Sequence, residues 1–322
     1  MSKNNTTCAA GRENVMSSIL PPLLIIELLL GLPVNLMALY IFFRHLRSWR
    51  PNILFLFNLL LADFLLLVSM PFRIDAYLHS ERWVFGAAWC RINLFMLAVN
   101  RSASIGFMTT VAVHRYFKVV HPHNKINFIS SRQAGGIACF IWVVVVLMRL
   151  PLLTNDLLIK NENNSYCRSF NIENPPLGII LHYVIYIAEF FLPLLTLLFC
   201  SIQIACILQQ LQRGREKKVR QAIRTVLVIV GVFIFCFSPG VATGLTAIYL
   251  KRLEDYCNAY TLVSQLFVLS IGFTYMNSAL DPVIYCFSST MFRDAVKRSI
   301  NRAGLMQFQL SRRASTVTGS EF

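Results

Sequence analysis

The chain alternates long apolar runs with short polar segments. Runs of about 20 mainly apolar residues, the length that crosses a hydrocarbon core of roughly 30 Å, fall near residues 19–43, 53–72, 92–113, 135–153, 179–208, 223–248 and 261–287. The pattern predicts an all-α membrane protein, a bundle of seven spanning helices. Residues 1–18 form an outer amino-terminal segment and residues 288–322 a cytoplasmic amphipathic helix and tail. An odd number of spans puts the two termini on opposite sides. Arg44, Arg47, Arg50, Arg115, Lys118, Lys125, Arg132, six Lys/Arg from Arg213 to Arg224 and six from Arg293 onward share one side. That makes 19 basic residues against Glu216, Asp294 and Glu321. The opposite side is near balance, so the basic side is cytoplasmic and the amino terminus lies outside.

Composition agrees with the pattern. The chain is 56% hydrophobic and 14% charged, where soluble domains carry about 25% charged residues. The net charge of +15 is mainly a topological signal, with some attraction to anionic inner-leaflet lipid. It argues against a nucleic-acid partner, because the basic residues sit in short loops beside spans. Residues 1–18 are polar and the first apolar run is too long for a signal h-region, so no cleavable signal peptide is expected. Three N-x-[ST] glycosylation acceptors, Asn4, Asn5 and Asn163, lie on the outer side. Of nine cysteines, Cys139, Cys200, Cys206, Cys236 and Cys286 fall within spans as small buried hydrophobes. Cys8, Cys90, Cys167 and Cys257 face the oxidising side and predict two disulfides, with three pairings open. The six histidines lie at or near loops and span ends, and neither H-E-x-x-H nor G-x-S-x-G occurs. An enzyme, a metal centre or a cofactor is therefore not expected. A transporter would show two similar halves, and none is visible.

Polar residues inside spans each cost roughly 2.5 to 3.5 kcal/mol on insertion scales, so each needs a reason. Asn35, Asp63, Asn100, Arg101, Glu189, Asn277 and Asp281 sit at or near mid-span, with Arg115 near the inner end of the third helix. Asp63, Asn35, Asn277 and Asp281 suggest a polar cluster holding water or a cation such as sodium, or else interhelical glue. Prolines inside the helices (Pro71, Pro151, Pro193, Pro239, and Pro282 near the end of the seventh) suit a bundle that opens and closes. From Cys90 to Arg101 is 11 residues, about 16 Å along a helix, which places Arg101 at mid-membrane. Arg115 follows 14 residues later, so both guanidiniums project from nearly one face. A buried arginine with no acid nearby on its own helix wants a planar bidentate acceptor. Arg101 then either anchors an anionic ligand or pairs internally with Glu189 or Asp63.

These residues resemble, in order and on the right spans, a rhodopsin-like (class A) G-protein-coupled receptor. The resemblance rests on Asn35, "LLLAD" with Asp63, Cys90 twenty-five residues before Arg115 of "HRY", Trp142, Pro193, "CFSP" and "NSALDPVIY". It implies a disulfide between Cys90 and Cys167, which leaves Cys8 for Cys257. It also implies that Arg115, with Tyr116 and Tyr285, serves G-protein coupling. Departures are His114 in place of the usual acid before the arginine, Val219 at an inner-end Glu position, Phe237 for the usual tryptophan and Ser201 for a common tyrosine. No lysine lies between Phe267 and Tyr285, which excludes an opsin.

Within that family, "PFRIDAYL", "RWVFGAAWCRINLFML", "NRSAS", "KVVHPH", "YCRSF", "EFFLPL" and "FTYMNSALDPVIYCFSS" resemble the hydroxycarboxylic acid and oxoeicosanoid receptor group. That resemblance implies a ligand carboxylate on Arg101, with Ser169 and Tyr275 lining the site and Phe267 as an aromatic wall. Gly244 stands where hydroxycarboxylic acid receptors usually carry another arginine, which favours the oxoeicosanoid branch and an oxidised polyunsaturated fatty acid of the 5-oxo-eicosanoid type. The alternative is a short acid of the lactate, 3-hydroxybutyrate or nicotinate type, and a distant one is transport of organic anions. The family implies inhibitory G proteins, arrestin, receptor kinases and the plasma membrane. Met291, Phe292, Ala295 and Ile300 oppose Arg293, Lys297 and Arg298, as in an amphipathic helix on the inner leaflet. "RRAST" resembles a basophilic kinase site at Ser315, with Thr316 and Thr318 nearby.

Overall fold

The computed structural model describes residues 15–45, 49–160, 164–170, 176–210, 216–251, 256–289, 292–299 and 301. Its long helices are α1 (Val15–His45), α2 (Pro51–Leu78), α3 (Gly86–Val120), α4 (Ser131–Arg149), α6 (Leu177–Gln210), α7 (Glu216–Leu250) and α8 (Cys257–Ser288). Seven spans are long and apolar enough to cross a membrane, the fourth running Ser131–Thr154. Their outward side chains are apolar, with Leu29 66%, Phe140 68% and Leu192 66% exposed. Such faces suit lipid and would aggregate in water.

Local chemistry sets the helix ends. Pro51 opens α2 behind an extended Arg50, where its missing N–H costs nothing. Ser130 and Gln133 form a reciprocal capping box on α4. Pro151 does not lie inside a continuous fourth helix as expected from the apolar run. α4 stops at Arg149 and the chain restarts as the single turn α5 (Pro151–Thr154), because proline cannot donate to the preceding turn. That break leaves Arg149 at the end of α4. Pro193, Pro239 and Pro282 lie inside α6, α7 and α8, and Pro71 inside α2.

Side-chain amides tie the helices to one another's backbone. Asn35 donates to the carbonyls of Gly31 and Ser278, each at 2.9 Å. Asn100 donates to Ala62 O at 2.9 Å and Asn93 to Ser69 O at 3.0 Å, while Trp142 Nε1 donates to Asn58 Oδ1 at 2.8 Å. Asn35 is thus interhelical glue, worth about 0.6 kcal/mol for an average bond of this kind. On the outer side an antiparallel hairpin, β1 (Leu158–Lys160) and β2 (Ser165–Cys167), is fastened to α3 by a Cys90–Cys167 disulfide. Cys257 is also disulfide-bonded, and Cys8 lies outside the described residues. Residues 292–299 form the short helix α9. Its Phe292 and Ala295 are buried while Arg293, Lys297 and Arg298 are exposed, as the amphipathic pattern predicts. Phe292 packs 5.6 Å from both the Phe42 and Tyr285 rings. Met291 and Ile300 lie outside the described residues, as do Asn4, Asn5, Asn163, Ser315, Thr316 and Thr318.

Candidate ligand site

Arg101 projects from α3 toward α6, the fifth span. Its Nη1 donates to Glu189 Oε2 at 3.0 Å and its Nη2 to the Tyr186 carbonyl at 3.3 Å. The guanidinium carbon stands 3.9 Å from the Tyr186 ring centroid and 5.5 Å from that of Phe237. Arg149, at the break between α4 and α5, converges on the same oxygen, donating from Nη2 to Glu189 Oε2. Its Nε donates to Ser102 Oγ at 2.8 Å, and its Nη1 lies 2.9 Å from His182 Nδ1. A guanidinium has only donors, so His182 Nδ1 is the acceptor. Glu189 Oε1 and Arg101 Nε are buried without a hydrogen-bond partner. Two buried cations therefore share one oxygen of one acid, a surplus of positive charge where little solvent screens it.

Of the two sequence readings of Arg101, the internal partner is Glu189 and not Asp63. The sequence pattern does not single out Arg149, His182, Arg73 or Glu27, all of which are buried. Arg149 ends an apolar run just before Pro151, where a basic residue reads as a boundary marker, and only the packing shows it 1% exposed. His182 is buried inside α6, and His114 is buried against Phe55 at 6.2 Å between ring centroids. Both stand near span ends, as expected, but are turned into the bundle and buried. Glu27 on α1 is buried with both carboxyl oxygens unpartnered. Arg101 and Arg115 also part company: Arg115 reaches the Ser288 carbonyl at the end of α8, not α6.

A second buried guanidinium lies on the outer side. Arg73 on α2 donates to the Cys167 carbonyl at 3.0 Å and to the Tyr77 hydroxyl at 3.3 Å. Its Nε has no partner and no acid pairs with it among the described residues. Tyr275 packs in one cluster with Tyr77 and Leu97, and Leu97 is one turn outward from Arg101 on α3. Ser169 is buried beside Phe170, whose ring meets Phe267 at 5.1 Å and Tyr186 at 5.2 Å. The four expected ligand residues thus divide, with Arg101 and Phe267 meeting through Tyr186, Tyr275 lying on the Arg73 side, and Ser169 in the disulfide-tied loop itself.

An apolar cavity of about 390 Å³ lies between the outer halves of α6, α7 and α8, lined by Phe170, Tyr183, Tyr186, Val241, Gly244 and Phe267 among others, with Lys251 at its edge. It stands beside Arg101 rather than around it. Tyr186 is the shared wall, presenting one ring to the guanidinium and lining the cavity. A Cβ on Gly244 would meet the Phe267 ring at 3.2 Å, so any larger side chain there narrows this space.

Deeper in the bundle, Asn277 Nδ2 donates to Asp281 Oδ2 at 3.2 Å, and the Tyr285 hydroxyl donates to Asp63 Oδ2 at 3.1 Å. Asp63 Oδ1, Asp281 Oδ1 and Asn277 Oδ1 are buried with no partner. Orphaned oxygens from two acids and one amide fit a small cation, which would offset the like charges, or a water that donates hydrogen bonds to them. Tyr285 is turned inward here, packed against Phe42 at 5.9 Å. At the inner end, Tyr116 is hydrogen-bonded to His121 at 3.0 Å. Arg115 makes no ion pair among the described residues.

Residues 34–285 match the family model for the 7 transmembrane receptor (rhodopsin family). Hydroxycarboxylic acid receptor 2 of Rattus norvegicus is 42% identical over 301 residues, spanning 93% of this chain and 83% of that protein. Oxoeicosanoid receptor 1 of Homo sapiens is 39% identical over 286 residues, 88% of this chain and 73% of that one. The 12-(S)-hydroxy-5,8,10,14-eicosatetraenoic acid receptor of Mus musculus is 33% identical over 297 residues, 91% and 92% respectively. Together with the seven spans, these matches make the chain a multi-pass receptor that couples to G proteins, not an enzyme, and it belongs to the rhodopsin family in the group of hydroxycarboxylic acid and eicosanoid receptors.

Proposed function

We propose that the protein is a plasma-membrane receptor for a carboxylate-bearing lipid, an oxidised polyunsaturated fatty acid of the 5-oxo-eicosanoid type, signalling through inhibitory G proteins. The amino terminus is outside and the carboxy terminus cytoplasmic. The observation that carries the reading is the charge surplus at Glu189, where Arg101 and Arg149 share one oxygen. Arg73 adds a third guanidinium, which forms no ion pair among the described residues and is hydrogen-bonded to a carbonyl and a hydroxyl. An incoming carboxylate supplies the missing negative charge and the planar acceptor that the Arg101 fork lacks. The apolar cavity behind Tyr186 supports a long tail. Burying eight methylenes there contributes about 6 kcal/mol gross, at about 0.8 each, before ordering costs.

A second reading, a short hydroxycarboxylic acid, draws on the 42% identity to hydroxycarboxylic acid receptor 2 and on the Arg73–Tyr77 pair, which offers polar contacts to a small ligand. G-protein activation in cells expressing the receptor separates the two, using 5-oxo-eicosatetraenoic acid, its methyl ester and 3-hydroxybutyrate. Activation by the free fatty acid but not its ester supports the lipid reading, and activation by 3-hydroxybutyrate alone overturns it. Gly244→Arg is a further discriminator. It is expected to fill the cavity beside Phe267 and lower fatty-acid potency about tenfold or more, without reducing any response to the small acid.

Around this site, Ser169, Tyr275 and Phe267 complete the ligand contacts, and Asp63, Asn277 and Asp281 form the polar switch that a sodium ion would occupy. Arg115, Tyr116 and Tyr285 act in G-protein coupling. Glycans on Asn4, Asn5 and Asn163, a phosphate placed on Ser315 by a basophilic kinase as a charge that recruits arrestin, receptor kinases as partners, and inner-leaflet lipid under α9 belong to the same proposal. So does the division into 1–18, 19–287 and 288–322. With no acid holding Arg115 among the described residues, basal signalling above that of empty cells is expected at matched surface expression. A basal signal equal to that of empty cells contradicts it.

A further inference from the structure

We infer that Glu189 is a built-in competitor for the ligand's carboxylate at Arg101, and that Arg149 is the residue that keeps Glu189 once it is displaced. The inference rests on Arg101 as the carboxylate anchor. A permanent ion pair would use the guanidinium fork fully, two donors against two carboxylate oxygens. Arg101 instead spends one donor on Glu189 Oε2 and one on the Tyr186 carbonyl, leaving its Nε and Glu189 Oε1 buried and unpartnered. Glu189 therefore occupies Arg101 without saturating it.

Arg149 is already in place for the exchange. It holds Glu189 Oε2 from the other side and is itself fixed by Ser102 and His182, so Glu189 can leave Arg101 without becoming an unpaired buried acid. Before exchange two guanidiniums face one carboxylate. Afterwards two face two, the ligand on Arg101 and Glu189 on Arg149. The exchange removes a like-charge clash and strands no polar group, the condition under which a buried pair can be broken cheaply. It also cuts one of the α3–α6 ties, the Arg101–Glu189 ion pair, and so loosens the fifth span against the third when ligand binds. A ligand that must first displace an internal partner binds more weakly by the fraction of receptor in which that partner is already gone.

The experiment compares 5-oxo-eicosatetraenoic acid and 3-hydroxybutyrate with their primary amides, reading G-protein activation normalised to surface receptor. Glu189→Gln is expected to raise the acids' potency about tenfold, within the 5–150-fold range usual for site coupling, and to leave the amides unchanged. Arg149→Gln is expected to lower the acids' potency, because Glu189 is then left with Arg101 alone. The paired Glu189→Gln/Arg149→Gln variant removes one charge of each sign, which guards against a folding failure of either single change, and is expected to show the Glu189→Gln gain. A ratio of acid to amide potency that does not move, or acid and amide shifting together, overturns the inference. If Arg101→Ala still abolishes the acid response in that case, the carboxylate reading stands and only the competitor role falls. An Arg101→Ala receptor that answers the acids as wild type does removes both.

Discussion

An Arg101→Ala receptor is expected to reach the cell surface and to lose its response to a carboxylate agonist, with potency falling about 30-fold or more. Truncating one partner of a buried, hydrogen-bonded charge pair costs roughly 2 to 5 kcal/mol, and each 1.4 kcal/mol is about tenfold. Surface delivery is expected to survive because of Arg149. Removing Arg101 strands no acid, since Glu189 Oε2 keeps its bond to Arg149. What is lost locally is one of the two bonds to Glu189 Oε2, the contacts with the Tyr186 and Phe237 rings and one main-chain bond. Arg101→Lys gives the finer test. It restores the charge but not the planar fork, so part of the potency should return. The measurement is G-protein activation against concentration of 5-oxo-eicosatetraenoic acid, with surface receptor counted in the same cells. A receptor equally well expressed and equally responsive without Arg101 shows that this arginine is a structural partner of Glu189 and nothing more.

The seven spans were legible because a bilayer imposes one length on every crossing, and apolar runs of that length announce themselves. The positions of Asp63, Asn100, Arg101 and Asp281 inside those runs were equally plain, since a polar residue among leucines has no cover. What the sequence concealed was partnership. Glu189 could be named as a possible mate for Arg101, but that Arg149 would claim the same oxygen depends on the helix break at Pro151 and on the facing of α4 toward α6. Neither is encoded in the spacing of either residue. Arg73 was hidden for a similar reason, standing two residues after Pro71 near a span end, where an arginine ordinarily reaches into water. Here it is 7% exposed because the disulfide-tied loop folds over it and offers the Cys167 carbonyl. Glu27 lies in full view in "LLIIELLLG", yet its burial with both oxygens unpartnered follows from which face of α1 meets the bundle, and an apolar run of uniform character does not reveal that face.

The same loop sets the second large effect. Cys90 and Cys167 are 77 residues apart, and closing a loop of that size removes about 4 to 5 kcal/mol of unfolded-state freedom on the chain-entropy account. Beyond stability, the bond fixes the strand that ends at Cys167, three residues before Phe170, which lines the cavity. Replacing both cysteines with serine is expected to lower the melting temperature of the detergent-solubilised receptor by roughly 10 °C and to weaken agonist binding. Treating the wild type with a reductant should reproduce both losses. Either single replacement should match the double, because each removes the same bond. Other contacts hold the loop independently of the disulfide, among them Arg73 to the Cys167 carbonyl, the Arg82–Tyr166 bridge with its 2.7 Å bond from the Trp83 N–H to the Ser165 carbonyl, and the Arg168–Glu81 ion pair. They compete with the covalent bond as the explanation of order here. If the serine variant melts and binds as the wild type does, these contacts suffice and the cysteines add little. If it loses agonist binding and the Arg73→Ala variant does so as well, the loop is positioned jointly, by the disulfide from α3 and by the buried guanidinium from α2.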